Sequence, residues 1–283
     1  MPAKLLTGKE VARKMDLDMQ QDVQSLKSAG INPRLNVIIA GDAPDSTAYS
    51  GSAKKIAEKN GVICDIEQLP KTISQTEFIN ILKQINTDKD IHGIIVMRPL
   101  PRQISEAVVM HFLTPEKDID CFNPVNAGKV MAGDVTGFPP ATPQAVIEML
   151  RFYEIPMQGK EAVILGRSMI VGKPLSMLLL GENATVTICH SKTKNLQGLC
   201  KRADILIAAI GKAKMITADF VKPGAVVIDV GINIVGDRLY GDVDTESVKS
   251  VASAITPVPG GIGTITTRVL LKQLVKAAKL QNP

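Results

Sequence analysis

The stretch Leu165-Gly-Arg-Ser-Met-Ile-Val-Gly-Lys-Pro174 sets three small residues, Gly166, Ser168 and Gly172, between a fully apolar run and the start of a helical pattern. Small side chains let a phosphate approach the backbone, and the free N–H groups and dipole of a starting helix favour its negative charge. The chemistry expected is the holding of a dinucleotide pyrophosphate. The spacing is G-x-S-x-x-x-G rather than G-x-G-x-x-G, so the turn taken alone is also compatible with a plain strand-to-helix connection.

The next strand candidate, ATVTICH, runs into His190-Ser191-Lys192-Thr193. NAD sites place an Asp or Glu here, about 20 residues past the glycine turn, to take the ribose 2′-hydroxyl. No carboxylate is present, whereas Ser191, Lys192 and Arg167 offer a hydroxyl and two cations to a 2′-phosphate. The reading favours NADP, with NAD as the alternative. Pro257-Val-Pro-Gly-Gly-Ile-Gly-Thr264 is a proline-braced glycine loop that suits a nicotinamide or a substrate beside it, and by itself is equally compatible with a tight turn.

A second kind of chemistry is raised by Ala48-Tyr-Ser-Gly-Ser-Ala-Lys-Lys55, in a chain with only 3 tyrosines and no tryptophan. Tyr49 offers a flat ring, and Lys54 and Lys55 offer protons. Their use depends on which way each side chain faces.

The elements that must position these residues alternate along the chain. RLNVIIAG (34–41), VICDIEQL (62–69) and HGIIVMRPL (92–100) read as strands, separated by helical patterns that close on Gly30 and Gly61. A third helix is opened by the capping-box pattern Ser74-Gln-Thr-Glu77. Residues 102–140 are crowded with Pro, Gly, Asn and Asp and read as a long functional connection, before a helix opened by Thr142-Pro143 and ended by Ile155-Pro156. A second series follows from 160: KEAVILG, a helix over 172–181, ATVTICH, a helix near 195–202, ADILIAAIG, AVVIDVG, and a last helix TTRVLLKQLVKAAKL. The pattern predicts an α/β chain of two α/β domains, each a parallel sheet covered by helices, the second a Rossmann-type NAD(P)-binding domain.

Bulk properties narrow the function classes. With 283 residues, 45% hydrophobic and 22% charged, the chain has the composition of a soluble globular protein. No apolar run approaches the about 20 residues of a membrane span and none has secretory length at the start, so a cytoplasmic protein without a membrane partner is expected. Cys64, Cys121, Cys189 and Cys200 lack CxxC spacing and the 3 histidines are isolated, which indicates neither a disulfide framework nor a metal site. The net charge of +5 is dispersed and aromatics make up 3%, which argues against nucleic acid and suits a small polyanionic ligand.

GRSMIVGKP, CHSKT, PGAVVIDVGIN, PVPGGIG and PEKDIDCFNPVNAGK stand in the order and spacing of the methylenetetrahydrofolate dehydrogenase/cyclohydrolase (FolD) family, and AGDAPDSTAY (40–49) resembles its N-terminal signature. The resemblance covers nearly the whole chain. It implies a cleft between the two domains, tetrahydrofolate in the cleft, NAD(P) on the second domain, and a homodimer formed largely through the cofactor domains. It divides the chain into a folate-binding catalytic domain, 1–141 plus 268–283, and a dinucleotide domain, 142–267. It further implies oxidation of 5,10-methylenetetrahydrofolate by hydride transfer, followed by hydrolysis of the methenyl product. By the same resemblance Tyr49 packs on the folate's aminobenzoate ring and Asp120 bonds the pterin's donor groups, which a carboxylate suits. Pro259, Gly260 and Gly261 fall to the substrate, and Gly166, Arg167, Ser168, Gly172, His190, Ser191, Lys192 and Ile232 to the cofactor.

Against the family pattern two residues are missing. The family's acid/base is a lysine four residues after the tyrosine, where this chain has Ala53, and the unchanged offsets from Gly41 to Tyr49 and from Tyr49 to Gly61 leave no room for an insertion. Residues four apart share a helix face, whereas a fifth step turns the side chain about 100° away. The family's V-Q-L-P-L-P reads Val96-Met97-Arg98-Pro99-Leu100-Pro101 here, and Met97 cannot replace an amide. Smaller departures are Cys121 for a glycine, Ala141 for a cysteine and Thr264 for a proline. The reading is an NADP-linked dehydrogenase that has lost cyclohydrolase activity. A bifunctional enzyme working through Lys54, and more remotely a non-catalytic folate or dinucleotide binder, stay open as alternatives.

Overall fold

The computed structural model describes residues 2–283. The chain opens with strand β1 (Lys4–Leu5) and helix α1 (Gly8–Ser28), then runs through β2 (Arg34–Ala40), α2 (Pro44–Lys59), β3 (Ile63–Leu69), α3 (Gln75–Thr87) and β4 (Gly93–Val96). Helix α2 begins at Pro44, which takes its first turn, where a missing N–H has no helical partner to lose. The capping box is formed: Glu77 N donates to Ser74 Oγ at 3.2 Å and Ser74 N to Glu77 Oε2 at 3.0 Å. The stretch expected to be irregular carries two short helices, α4 (Glu106–Phe112) and α5 (Pro124–Ala132), before α6 (Ala141–Phe152).

The second series holds β5 (Glu161–Leu165), α7 (Gly172–Gly181), β6 (Thr185–Cys189), α8 (Leu196–Cys200), β7 (Ile205–Ala208) and β8 (Val226–Asp229). A hairpin, β9 (Asn233–Val235) and β10 (Arg238–Tyr240), α9 (Thr245–Val248), β11 (Ala254–Ile255) and α10 (Thr266–Gln281) complete it. Among the described residues no helix is long and apolar enough to cross a membrane.

Two compact units result. One joins Lys14–Pro139 to Thr267–Pro283 and holds the three-stranded sheet; the other joins the segment ending at Arg13 to Pro140–Thr266 and holds the six-stranded sheet. The opening residues were expected with the first series, yet they group with the second. The cause is β1, which pairs in parallel with β11 (Lys4↔Ala254, Leu5↔Ile255) and extends the larger sheet.

The larger sheet is parallel throughout, in the order β1-β11-β8-β7-β5-β6. Its central strands β7 and β8 are buried on every residue, as expected of strands covered on both faces. The chain steps from β5 outward to β6 and then back across to β7, so the order reverses beside β5. The carboxyl ends of strands at such a reversal are where α/β sheets take ligands.

The smaller sheet has the order β3-β2-β4, also parallel. Right-handed crossovers in opposite directions, β2 to β3 and β3 to β4, put α2 and α3 on opposite faces. On the α3 face Phe78, Leu82, Ile38, Ile94 and Val96 form a buried cluster. On the other face α10 lies directly on β4, since a Cβ at Gly93 would stand 2.6 Å from Leu274 Cδ1. Asp16 of α1 joins three helices there, accepting from Arg268 Nε at 2.8 Å, Lys59 Nζ at 3.2 Å and Asn60 Nδ2 at 3.2 Å. Burial pushes the Asp16 carboxyl up, but Arg268, Lys59 and Asn60 together hold it below the usual range.

Candidate active site

In the larger-sheet unit the residues after β5 and β7 enclose a cavity of about 290 Å³, lined by Gly166, Arg167, Ser168, His190, Ser191 and Lys212 among others. Gly166 has φ 124°, and a Cβ there would overlap the carbonyl oxygen of Ala209. Only glycine serves at that position. Ser168 Oγ accepts from Val171 N at 3.0 Å and shapes the turn, while α7 starts at Gly172 with no side-chain cap. Lys173 N donates back to Ser168 O at 3.0 Å and Pro174 has no N–H, so what this helix start offers an anion is chiefly the positive end of its dipole. Gly172 itself packs against the carbonyl of Gly166, behind the cavity rather than in its lining.

The segment after β6 folds into a closed turn. His190 N donates to Thr193 Oγ1 at 2.8 Å, Thr193 N to His190 O at 2.8 Å, and Lys192 N to His190 Nδ1 at 3.1 Å. His190 Nδ1 is thus an acceptor, which places any ring proton on Nε2. Arg167 and Lys212 line the cavity with no carboxylate among its residues; Lys192, Ile232 and the 259–261 loop lie outside the lining. Two cations without a carboxylate are a donor set suited to phosphate.

The loop Pro257–Gly261 is seated by a residue that the motif reading passed over. Gly8 N donates to Gly260 O at 2.7 Å, and a Cβ on Gly8 would overlap Gly261 O. Gly260 has φ 102°, so the expected need for glycine in this loop has a conformational cause.

In the smaller-sheet unit Tyr49 is half-buried on α2, with its hydroxyl hydrogen-bonded to the side chain of Thr267 on α10 and within the field of Asp120. Burial and the Asp120 charge, against the Thr267 bond, push the tyrosine hydroxyl up to about 12. Asp120 stands on a loop built by a neighbour in the same KDID motif. Asp118 is buried and accepts from Phe122 N at 2.9 Å, Asn123 N at 2.8 Å and Asn126 Nδ2 at 2.9 Å. Burial raises the Asp118 carboxyl in spite of those bonds. Cys121 adopts φ 58°, the left-handed conformation that glycine adopts without a Cβ penalty, and its thiol is pushed up to about 12 by burial and by Asp118 and Asp120.

Helix α2 separates the residues of Ala48–Lys55 clearly. Its buried face carries Ser46, Ser50, Ala53 and Ala57, and Ala53 is 1% exposed. Lys54 has a side chain 42% exposed, lies 3.9 Å from Glu58 Oε1, and acts electrostatically on Cys64 of β3. Lys55 is exposed. Met97 N donates to Ile38 O at 2.9 Å, continuing β4 by one residue and placing Met97 on the α10 face with Gly93. Lys54 thus leans toward one edge strand, β3, while Met97 follows the other, β4, with β2 between them. Next to Met97 the Arg98 guanidinium lies 4.9 Å over the ring of Phe122.

The chain is similar to known proteins over nearly its whole length. Its residues 6–120 match the family model described as the tetrahydrofolate dehydrogenase/cyclohydrolase catalytic domain, and residues 140–282 match the NAD(P)-binding domain of the same enzymes. A bifunctional protein FolD from Clostridioides difficile is 50% identical over 279 residues, covering 98% of this chain and 97% of that protein. Among solved structures, the bifunctional FolD methylenetetrahydrofolate dehydrogenase/cyclohydrolase of Campylobacter jejuni superposes with a TM-score of 0.96 at 41% identity, over 98% of this chain and 99% of that one. The Trypanosoma brucei enzyme, solved with NADP and an inhibitor, gives 0.94 at 34% identity over 99% and 98%. With the two family models spanning residues 6–120 and 140–282 and a relative 50% identical over 98% of this chain, the chain belongs to the tetrahydrofolate dehydrogenase/cyclohydrolase family.

Proposed function

We propose that the protein is an NADP-dependent 5,10-methylenetetrahydrofolate dehydrogenase whose cyclohydrolase step has been lost. Ala53 carries this reading: one turn from Tyr49, a buried methyl stands where the family pattern has its lysine, and Lys54 is turned toward Glu58 and Cys64. Met97 removes the amide partner that such a lysine would need.

The two half-reactions ask different things of the protein. Dehydrogenation moves a hydride from the methylene carbon of neutral 5,10-methylenetetrahydrofolate to NADP, leaving the 5,10-methenyl cation and NADPH; no proton leaves that carbon. The bound nicotinamide supplies the hydride acceptor, so the side chains need only bind and align. Tyr49 is the platform for the aminobenzoate ring and Asp120 the acceptor for the pterin donors, with Pro259, Gly260 and Gly261 against the substrate. Gly166 and Ser168 take the pyrophosphate, with Gly172 packed behind the turn that holds it; Arg167, His190 and Ser191 take the 2′-phosphate side, with Lys192 and Ile232 reaching the cofactor from outside the cavity lining. Opening of the methenyl ring by water needs a positioned acid/base, and Ala53 and Met97 can be neither.

Relatives bear the name bifunctional, so the loss is proposed for this chain, and the rival reading has Lys54 as the acid/base. Both are tested by following NADPH and folate products together. The expected outcome is stoichiometric NADPH and methenyltetrahydrofolate, with 10-formyltetrahydrofolate forming at the uncatalysed rate in wild type and in Lys54→Ala alike. Enzymatic 10-formyl production that Lys54→Ala abolishes would establish the rival. We also infer that copies pair through the larger-sheet unit, supported by edge strand β6, which bonds to β5 on one side and exposes Ile188; sedimentation would show a dimer that a charged residue at 188 dissociates.

A further inference from the structure

Two aspartates outside the reading above stand behind the dinucleotide cavity. Asp242, 0% exposed, accepts from Ile210 N at 2.6 Å and Gly211 N at 3.0 Å on Oδ2, and from Lys212 N at 2.8 Å and Asn233 Nδ2 at 2.9 Å on Oδ1. Asp229, 1% exposed at the end of β8, accepts from Gly231 N at 2.9 Å and Asp242 N at 3.0 Å on Oδ1, and from Val243 N at 2.9 Å on Oδ2. All of these partners are N–H donors. The packing leaves no slack, since a Cβ on Gly231 would overlap the Asp242 carboxylate and one on Gly241 the Asp229 carboxylate.

Three successive backbone N–H groups converging on one point form an anion cradle, and here the anion is the protein's own. The cradle is also the wall of the cavity, because Ile210 and Lys212 line it. Asn233 extends the same carboxylate to the segment that carries Ile232. Gly211 has φ 65°, and a glycine-containing exposed turn left without an anchor would have to be ordered each time a ligand binds.

We propose that Asp242 is the positioning residue of this cavity: it fixes the Ile210–Lys212 wall and, through Asn233, the Ile232 segment in one arrangement, and Asp229 fixes Asp242. This rests on the reading of the cavity as the dinucleotide site. Lys212 then meets a cofactor phosphate from a preformed loop, and the binding energy is not spent on ordering it.

The test is NADP titration by calorimetry with Asp242→Asn, Asn233→Ala and Arg167→Ala, beside steady-state kinetics on the folate. Asp242→Asn sets an amide among N–H donors and is expected to raise the NADP Kd about tenfold, the loss of a hydrogen bond to a charged group, with kcat at saturating NADP and the folate KM within about threefold of wild type. Asn233→Ala breaks one strand of the tether, and about a threefold rise is expected. It carries the test if Asp242→Asn fails to fold. A folded Asp242→Asn, or failing that Asn233→Ala, with wild-type NADP affinity overturns the proposal if Arg167→Ala weakens binding. Unchanged binding in Arg167→Ala as well overturns the dinucleotide reading of the cavity and the proposal with it. An equal fall in kcat and folate binding would mark Asp242 as merely structural and also overturn the proposal.

Discussion

The candidate sites of the two units are built from different materials. In the larger-sheet unit the cavity is mostly backbone: a glycine turn at Gly166, an uncapped helix start at Gly172, a self-closed turn at His190, and a wall of N–H groups held from behind by Asp242. In the smaller-sheet unit the proposed working parts are side chains, Tyr49 on a helix and Asp120 on a loop, with Ala53 one turn from Tyr49 and Met97 at the end of β4. A backbone site fails when its geometry fails, whereas a side-chain site can lose one reaction and keep another. Both share one device, a buried aspartate that gathers loop N–H groups: Asp118 below Asp120, and Asp229 with Asp242 behind the cavity.

The largest effect expected is at the backbone site. Gly166→Val meets both a positive φ and the Ala209 carbonyl, and should lower kcat/KM for NADP by at least about 1000-fold while leaving folate binding by the isolated variant intact, as read by steady-state kinetics and folate titration. A tolerated valine would break the contrast.

A test of the shared device follows from Asp229, whose carboxyl burial raises from 3.8 to about 6 against its three N–H bonds. The folded protein then binds this proton more tightly than the unfolded chain, so the stability due to this group is highest below about pH 4 and falls as pH rises through about 6. Urea unfolding of wild type and Asp229→Asn from pH 4 to 7 should show their difference in stability changing by on the order of 3 kcal/mol, with wild type losing ground as pH rises. A difference that stays flat across that range would mean Asp229 keeps its proton affinity unchanged on folding.

The smallest of these three effects is a gain. Ala53→Lys with Met97→Gln should raise 10-formyltetrahydrofolate production about tenfold above background, a fraction of what a positioned acid/base supplies, because the surrounding packing is set for a methyl. Dehydrogenase activity should change little. If hydrolysis did not rise, the smaller-sheet site would be no more modular than the larger.

Much of this was legible in the residues. The strands of both series, the helix over 172–181 and the capping box at Ser74 follow from local periodicity and end signals, which depend on neighbours in sequence. The face of Ala53 followed from helix geometry. What local pattern could not carry were the distant partners: β1 joining β11, Gly8 beneath Gly260, and Thr267 on Tyr49. The hairpin β9–β10 also went unread, since its strands are short and mostly exposed. Asp118 and Asp242 sat inside or near quoted motifs, but an aspartate that serves backbone N–H groups looks in sequence like one that serves a ligand.

The discontinuity of the smaller-sheet unit bears on how the protein is made. Its sheet is finished by Val96, yet α10 supplies Leu274 over Gly93 and Arg268 to Asp16, and Gln273 Nε2 donates to Ile119 O at 2.7 Å. A nascent chain therefore has β4 without its α10 cover, on the face that α2 already shares, until residues 267–283 have been synthesised and have left the ribosome, while the intervening larger-sheet residues are already complete. During translation the order of completion runs opposite to the order of the two series in the sequence, and the smaller-sheet unit is the one finished last.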